Sequence, residues 1–129
     1  MELDEKLNLN YESEKDLETP KKMENMRKEL EIISEKTRYK ILLTLLASDD
    51  SLSFSQLREL LPSIPENNLN YHLKILKEKN FIKNEKRIGY KRSEPRSFYS
   101  LSNKSIDLLE NLGLTAIKEE FRALFKQMT

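Results

Sequence analysis

The amino-acid sequence predicts a mainly helical α+β fold with one small β-hairpin. Two observations carry this prediction. Apolar residues recur every three or four positions in most segments, which is the spacing of an amphipathic helix. Between Phe81 and Leu101 this spacing is lost, and two strand-like runs flank a loop with Gly, Ser and Pro.

The predicted helices before the hairpin differ in how apolar they are. A first helix is expected from Lys21 to Ile33, directly after Pro20, a residue favoured at helix starts. A second is expected from Ser34 to Ser48, with Ser34 as its N-cap. The second helix should be central to the core, because it has a wide apolar face made of Ile41, Leu42, Leu45 and Leu46.

Two shorter elements and a third long helix follow. Residues 51–54 alternate polar and apolar side chains, which favours a short strand. Ser55 is then expected to cap a short helix over residues 56–61, and Pro62 and Pro65 bound a turn. A helix from Glu66 to Lys79 should end at Asn80, a good C-terminal stop.

The hairpin and two further helices complete the chain. Residues 81–88 and 96–101 are the expected strands, followed by helices over residues 103–112 and 115–128, with Gly113 between the helices. This order predicts a winged helix-turn-helix with additional N- and C-terminal helices. We expect an acidic flexible arm over residues 1–19, the domain with its leading helix over 20–112, and a C-terminal dimerisation helix over 113–129.

Composition argues against several classes of protein. Cysteine is absent, so disulfides and thiolate metal sites are excluded. No long apolar run predicts a membrane span and no signal peptide is evident, so we expect a cytoplasmic protein without membrane association. His72 is the only histidine and there are two glycines, so we expect no metal, no cofactor and no enzymatic activity.

Charge is unevenly distributed although the net charge is only +1. Residues 1–19 hold seven acidic residues and two lysines, a net charge of −5. Residues 66–96 hold nine basic and four acidic residues, a net charge of +5. A basic segment of this kind favours a polyanionic partner, although charged surfaces are also common without one.

The helix over residues 66–79 has the side chains that a DNA-reading helix needs. A helix fits the major groove, and asparagine pairs bidentately with adenine there. We therefore predict double-stranded DNA as the partner, read by Asn67, Asn68, Asn70 and Tyr71. Lys74 and Lys77 follow where phosphate contacts are expected. The alternative is that Asn67 and Asn68 only cap the helix.

Four motifs in this order resemble the ArsR-like winged-helix regulators. Residues 38–42 fit their R-x-x-I-L opening, residues 69–76 their recognition helix, and Phe81-Ile82 the following G-L-V/I, with Asn80 replacing Gly. Tyr99-Ser100-Leu101 fits the closing Y-x-L. The resemblance implies a dimeric DNA-binding transcriptional regulator. The expected wing contacts to the DNA backbone are Lys86, Arg87, Lys91, Arg92 and Arg96.

The terminal helices each have an apolar stripe, for which two interpretations exist. The stripe of the last helix could cover the domain's own core. We favour a homodimer interface shared with the first helix, because a small domain has few open core positions. The predicted interface residues are Met23, Met26, Leu30, Ile117, Phe121, Leu124, Phe125 and Met128.

The functional prediction is a sequence-specific transcriptional regulator that represses by steric exclusion. A winged-helix protein-interaction module and a sequence-independent architectural DNA binder are the alternatives. The sequence indicates no particular effector or operator.

Overall fold

The computed structural model describes residues 20–48, 50–88, 95–114 and 118–128. The predicted acidic arm, residues 1–19, lies outside these ranges. The chain divides into two units, residues 1–32 and 33–129. Within the described residues, no helix is long and apolar enough to cross a membrane.

Helix α1, Lys21–Ile33, has the bounds that the sequence predicts. The guanidinium of Arg27 donates to the carboxylates of Glu24 at 2.8 Å and Glu31 at 3.1 Å, one turn away on either side. Such exposed pairs add only modestly to helix stability. Met23 and Met26 are exposed, and Leu30 is half-buried.

The second unit contains five helices and three strands among its described residues. Their bounds are α2, Lys36–Ala47; β1, Leu52–Ser53; α3, Phe54–Leu60; α4, Glu66–Glu78; β2, Ile82–Ile88; β3, Pro95–Leu101; α5, Asn103–Asn111; and α6, Lys118–Met128.

Helix α2 is the centre of the core, as the sequence predicts. Its residues Ile41, Leu42, Leu45 and Leu46 are buried. The predicted N-cap was wrong by one residue, because Glu35 and not Ser34 occupies that position. The Glu35 carboxylate accepts a hydrogen bond from the backbone N–H of Arg38 at 2.9 Å, which satisfies one of the free donors of the first turn.

The start of α3 also differs from the prediction. Ser53, and not Ser55, is the N-cap: its hydroxyl accepts from the Gln56 backbone N–H. The Gln56 side chain accepts in return from the Ser53 N–H at 2.8 Å. This reciprocal capping box uses two donors at once. The helix therefore begins at Phe54, two residues earlier than expected.

The three strands form one antiparallel sheet in the order β1-β3-β2. Strands β2 and β3 are the predicted hairpin, with Ile82 opposite Leu101 at its base and Ile88 opposite Pro95 towards the tip. Ile82 and Leu101 are buried, so the base of the hairpin joins the core. Strand β1 pairs through Leu52 with Tyr99.

Helix α4 ends at Glu78, one residue before the predicted Lys79, and Asn80 follows as the stop that the sequence predicts. Asn80 has a φ of 65°, in the left-handed region that most residues avoid. The N–H of Phe81 donates to the Leu76 carbonyl at 2.8 Å, and the N–H of Asn80 to the Lys77 carbonyl at 3.1 Å. These bonds close the last turn and direct the chain into β2.

Substitutions at Asn80 test this helix end. Asn80→Ala is expected to lower the free energy of unfolding by about 1 kcal/mol, because the left-handed conformation is costly for a residue with a Cβ. Asn80→Gly should equal or exceed the wild type, since glycine has no such cost. Urea unfolding measures both variants. Equal stability of the two would contradict the proposed role of this conformation.

Helix α6 packs against α2 of the same chain. The Arg122 guanidinium donates to the carbonyl of Ala47, the last residue of α2, at 2.9 Å. Phe121 and Phe125 are half-buried and contact each other edge to face. This packing agrees with the alternative that the last helix covers its own domain. Leu124 remains 53% exposed, while Ile117 and the Met128 side chain lie outside the described residues.

Candidate nucleic-acid interface

Helix α4 has one apolar and one polar face. Leu69, Leu73 and Leu76 are buried and hold the helix to the core. The opposite face is exposed and contains the four predicted base-contacting residues, Asn67, Asn68, Asn70 and Tyr71. Tyr71 is 61% exposed although it is a large aromatic residue. Unused hydrogen-bonding groups on an outward helix face are what base recognition requires.

The asparagines do not cap the helix in the way that the alternative interpretation requires. The N-cap position is Pro65, which has no side-chain donor or acceptor. The Asn67 side-chain oxygen accepts from the neighbouring N–H of Asn68 at 3.0 Å. Within the described part of the chain, the side-chain amides of Asn68 and Asn70 make no hydrogen bond, so both remain available to a ligand.

Two lysines extend the polar face along the helix. Lys74 and Lys77 are exposed, and neither takes part in an ion pair among the residues that the structure describes. Lysine is a compact, strongly hydrated charge that suits phosphate contacts. Two cations without an ion pair among the described residues thus lie beyond the asparagines, and their contacts to a DNA backbone stay a prediction.

The hairpin separates the predicted wing cations. Side chains alternate between the two faces of a strand, so Lys86 and Arg87 point to opposite sides of the sheet. Arg87 donates to the Glu85 carboxylate at 2.9 Å and stacks on the Phe98 ring at 4.7 Å. Lys86 has no ion pair among the described residues. Of these two, Lys86 is the cation that remains free for phosphate.

Arg96 lies directly opposite Arg87 across the hairpin. Facing like charges are unfavourable in a sheet, and of the two arginines only Arg87 has an acidic partner among the residues that the structure describes. Arg96 also lines a groove with Asn70 of α4 and Tyr99 of β3. This groove brings together α4 and the hairpin. The predicted contacts Lys91 and Arg92 lie outside the described residues.

A hydrogen bond missed by the sequence reasoning joins α4 to the start of α2. The Arg38 guanidinium donates to Nδ1 of His72 at 3.1 Å, and the Glu35 carboxylate lies 3.7 Å from the same nitrogen. Arginine can only donate, so this bond requires Nδ1 to be unprotonated. The His72 ring also contacts Tyr71 edge to face, with centroids 5.0 Å apart. His72 therefore links α4 to the start of α2.

Glu35 both caps α2 and lies beside His72 in this cluster. Burial raises the pKa of its carboxyl, but hydrogen bonds from the backbone N–H groups of Arg38 and Thr37 lower it, as does the charge of Arg38. The lowering contributions prevail, and the pKa lies below its ordinary value of 4.5. The folded state thus favours the ionised carboxylate.

The stability contributed by Glu35 is expected to depend on pH. Because folding lowers its pKa, the contribution is complete above the ordinary value of 4.5 and is lost as the pH falls below it. Glu35→Ala should cost about 1 kcal/mol at pH 7, as loss of an N-cap does. Urea unfolding should show this difference shrinking in acid. Glu59→Ala, a change at an exposed carboxylate of α3, is the control and should show no such trend.

A sequence comparison with family models agrees with the observed elements. Residues 33–85 match the family model described as "Helix-turn-helix domain". The match runs from the end of α1 into β2, and the β2–β3 hairpin supplies the wing. The fold is a winged helix-turn-helix. No curated protein matches the sequence in the corresponding comparison.

Several solved structures share the winged helix-turn-helix. A protein with a GntR superfamily winged-helix-turn-helix domain from Halomicrobium mukohataei is 24% identical with a TM-score of 0.75, over 88% of this chain and 81% of that one. A MarR-family transcriptional regulator, described as putative, from Enterococcus faecalis is 18% identical with a TM-score of 0.62, over 88% and 98%. A transcriptional regulator homologue from Pyrococcus horikoshii is 22% identical with a TM-score of 0.55, over 73% and 88%.

These similarities confirm the predicted α+β winged helix-turn-helix. Neither the family model nor these neighbours single out the ArsR-like regulators that the motifs resemble. The base-contacting, phosphate-contacting and dimer residues stay predictions. Among the described residues, no group of three or more His, Asp or Glu side chains could hold a metal ion.

Proposed function

We propose that the protein is a DNA-binding transcription regulator that reads the major groove with α4. The observation that carries this proposal is the exposed polar face of α4. The leucines on the opposite face of the helix are buried in the core, so the polar face points to solvent. The helix-turn-helix match and the transcriptional regulators among the structural neighbours support it.

Each part of the surface has a separate role in this proposal. Asn67, Asn68, Asn70 and Tyr71 contact base edges, where amide groups distinguish adenine. Lys74, Lys77, Lys86 and Arg96 contact phosphates and fix the register of the protein on the duplex. Arg87, Lys91 and Arg92 complete the wing contacts. Arg87 must share its guanidinium with Glu85 to do so.

We further propose that the regulator acts as a homodimer and represses by steric exclusion. The support is the apolar surface left on the terminal helices: Met23 is 62% exposed, Met26 47% and Leu124 53%. A two-fold dimer would place two α4 helices about 34 Å apart, so the site should be roughly palindromic. Sedimentation equilibrium should give twice the chain mass, and Leu124→Glu should halve it.

Salt dependence of binding tests the DNA-binding proposal. Fluorescence anisotropy with a labelled duplex should give a log affinity that falls with log salt by about 0.9 for each phosphate contacted. Lys74→Gln should make this slope shallower by about 0.9, the contribution of one phosphate contact. Lys126→Gln on α6 removes the same charge away from α4 and is the matched control, with no expected change of slope.

Two outcomes would favour other functions. Weak binding that does not change with salt would contradict a DNA partner and favour a protein-interaction module. Steep salt dependence with equal affinity for every duplex would favour a sequence-independent architectural binder.

A further inference from the structure

A pocket of about 370 Å³ lies beside the hairpin and is lined by residues other than those of the groove that contains Asn70. It is bounded by the C-terminal end of α2, the turn before β1, the sheet, α5 and the first residue of α6. This volume is near the lower end of small-molecule sites, so a ligand of amino-acid size fits.

The charged side chains around this pocket are balanced in sign. Arg87 and Lys118 supply two cations, and Asp50 and Glu110 supply two carboxylates. Within the described residues, Lys118 and Glu110 form no ion pair with each other or with another residue. A simple anion would meet the two carboxylates, and a simple cation would meet Arg87 and Lys118. A zwitterion has a partner for each of its charges.

The remaining lining is apolar with hydroxyl groups. Leu45, Leu46 and Ile106 provide hydrocarbon surface. Ser51 also lines the pocket, and its hydroxyl oxygen is buried with no hydrogen-bond partner among the described residues. Buried polar atoms are normally satisfied, so an unpartnered hydroxyl beside a pocket is a sign that a ligand belongs there.

We propose that this pocket binds a free α-amino acid with an aliphatic side chain. Its carboxylate contacts Arg87 and Lys118, and its ammonium group contacts Asp50 and Glu110. The side chain packs on Leu45, where burial of hydrocarbon favours binding.

Such a ligand would regulate the wing, an extension that rests on the proposed DNA-binding function. Arg87 lies in β2 of the hairpin, and Lys118 begins α6, which Arg122 fastens to α2. A ligand that contacts both Arg87 and Lys118 binds most tightly when the hairpin holds Arg87 at one particular distance from Lys118. The ligand therefore shifts the hairpin towards the conformation that it binds more tightly, by the difference between its affinities for the two conformations.

Calorimetry with matched ligands tests the binding. L-leucine, L-isoleucine or L-valine should bind with a Kd below about 1 mM. 4-Methylpentanoate lacks the ammonium group of leucine and 3-methylbutylamine lacks its carboxylate, so each should bind at least about tenfold more weakly than leucine. The proposal is wrong if none of the three amino acids binds, or if either analogue binds as tightly as leucine.

Two variants locate the ligand in this pocket. Glu110→Gln and Lys118→Met should each weaken the binding of leucine at least about tenfold. Glu59→Gln and Lys126→Met make the same chemical changes outside the pocket and should leave binding unchanged. Unaltered binding in both pocket variants would place the ligand elsewhere and overturn the assignment.

DNA titrations with and without leucine test regulation. Leucine should change affinity for a selected duplex at least about fivefold, and Lys118→Met should abolish this change while leaving ligand-free DNA affinity intact. Leucine binding without an effect on DNA affinity would overturn regulation alone. Leucine binding by a protein that binds no DNA would refute the proposed function but retain the pocket.

Discussion

Phe81→Ala is expected to lower the free energy of unfolding by about 3–5 kcal/mol, the largest stability effect that we predict. The side chain is fully buried, and the residue joins three elements at the base of the hairpin. Its carbonyl accepts from the N–H of Ser102 at 3.1 Å and from the hydroxyls of Ser102 and Ser105. The Lys104 ammonium lies over the ring at 4.2 Å.

Urea unfolding measures this loss, with Ile88→Ala as the control. Ile88 lies in the same hairpin but is 73% exposed, so its replacement should change stability by less than about 0.5 kcal/mol. Similar effects of the two substitutions would contradict the central position of Phe81.

Asn70→Ala is expected to have the largest effect on DNA recognition. Losing a bidentate contact to a base costs about 1–3 kcal/mol, which lowers affinity for the selected site roughly fivefold to a hundredfold. The preference at one base pair should be relaxed, while the salt dependence stays the same because no phosphate contact is lost. Anisotropy titrations against the selected duplex and its single-base variants measure both effects.

Asn111→Ala provides the matched control for this experiment. It makes the same chemical change at an exposed position at the end of α5, away from α4. Its affinity and base preference should equal those of the wild type. An Asn70→Ala protein with unchanged affinity and preference would show that Asn70 does not contact a base.

Most helices were predictable because local rules and burial agree along the chain. In α4, Leu69, Leu73 and Leu76 repeat at helical spacing, and all three are buried. Asn80 was identified as the stop because asparagine tolerates a positive φ, and its φ is 65°. Sequence and tertiary structure favour the same conformation at these positions.

The predicted start of α3 was wrong, although the sequence contained the correct capping signal. Both Ser53 and Ser55 are favourable caps, but only Ser53 has a glutamine three residues later to complete a capping box. The cap of α2 had no such signal. Glu35 is an unusual cap, and its position depends on Arg38 and His72 in the folded chain.

The electrostatic partners in the candidate interface were the hardest to predict. The bond between Arg38 and His72 joins residues 34 positions apart, so it depends on the packing of α2 against α4. The ion pair of Arg87 with Glu85 could be predicted from the sequence, because residues two apart share one face of a strand. A count of charges alone does not show that Arg87 has an acidic partner while Lys86 has none among the described residues.

Competition between a selected DNA site and random duplex tests the central claim most directly. Fragments of genomic DNA that bind the purified full chain would supply the site. At about 0.15 M salt, a sequence-specific regulator should prefer that site by a factor of about 10³ or more. A preference below about tenfold, or a failure to retain any fragment, would contradict recognition of DNA by the exposed face of α4.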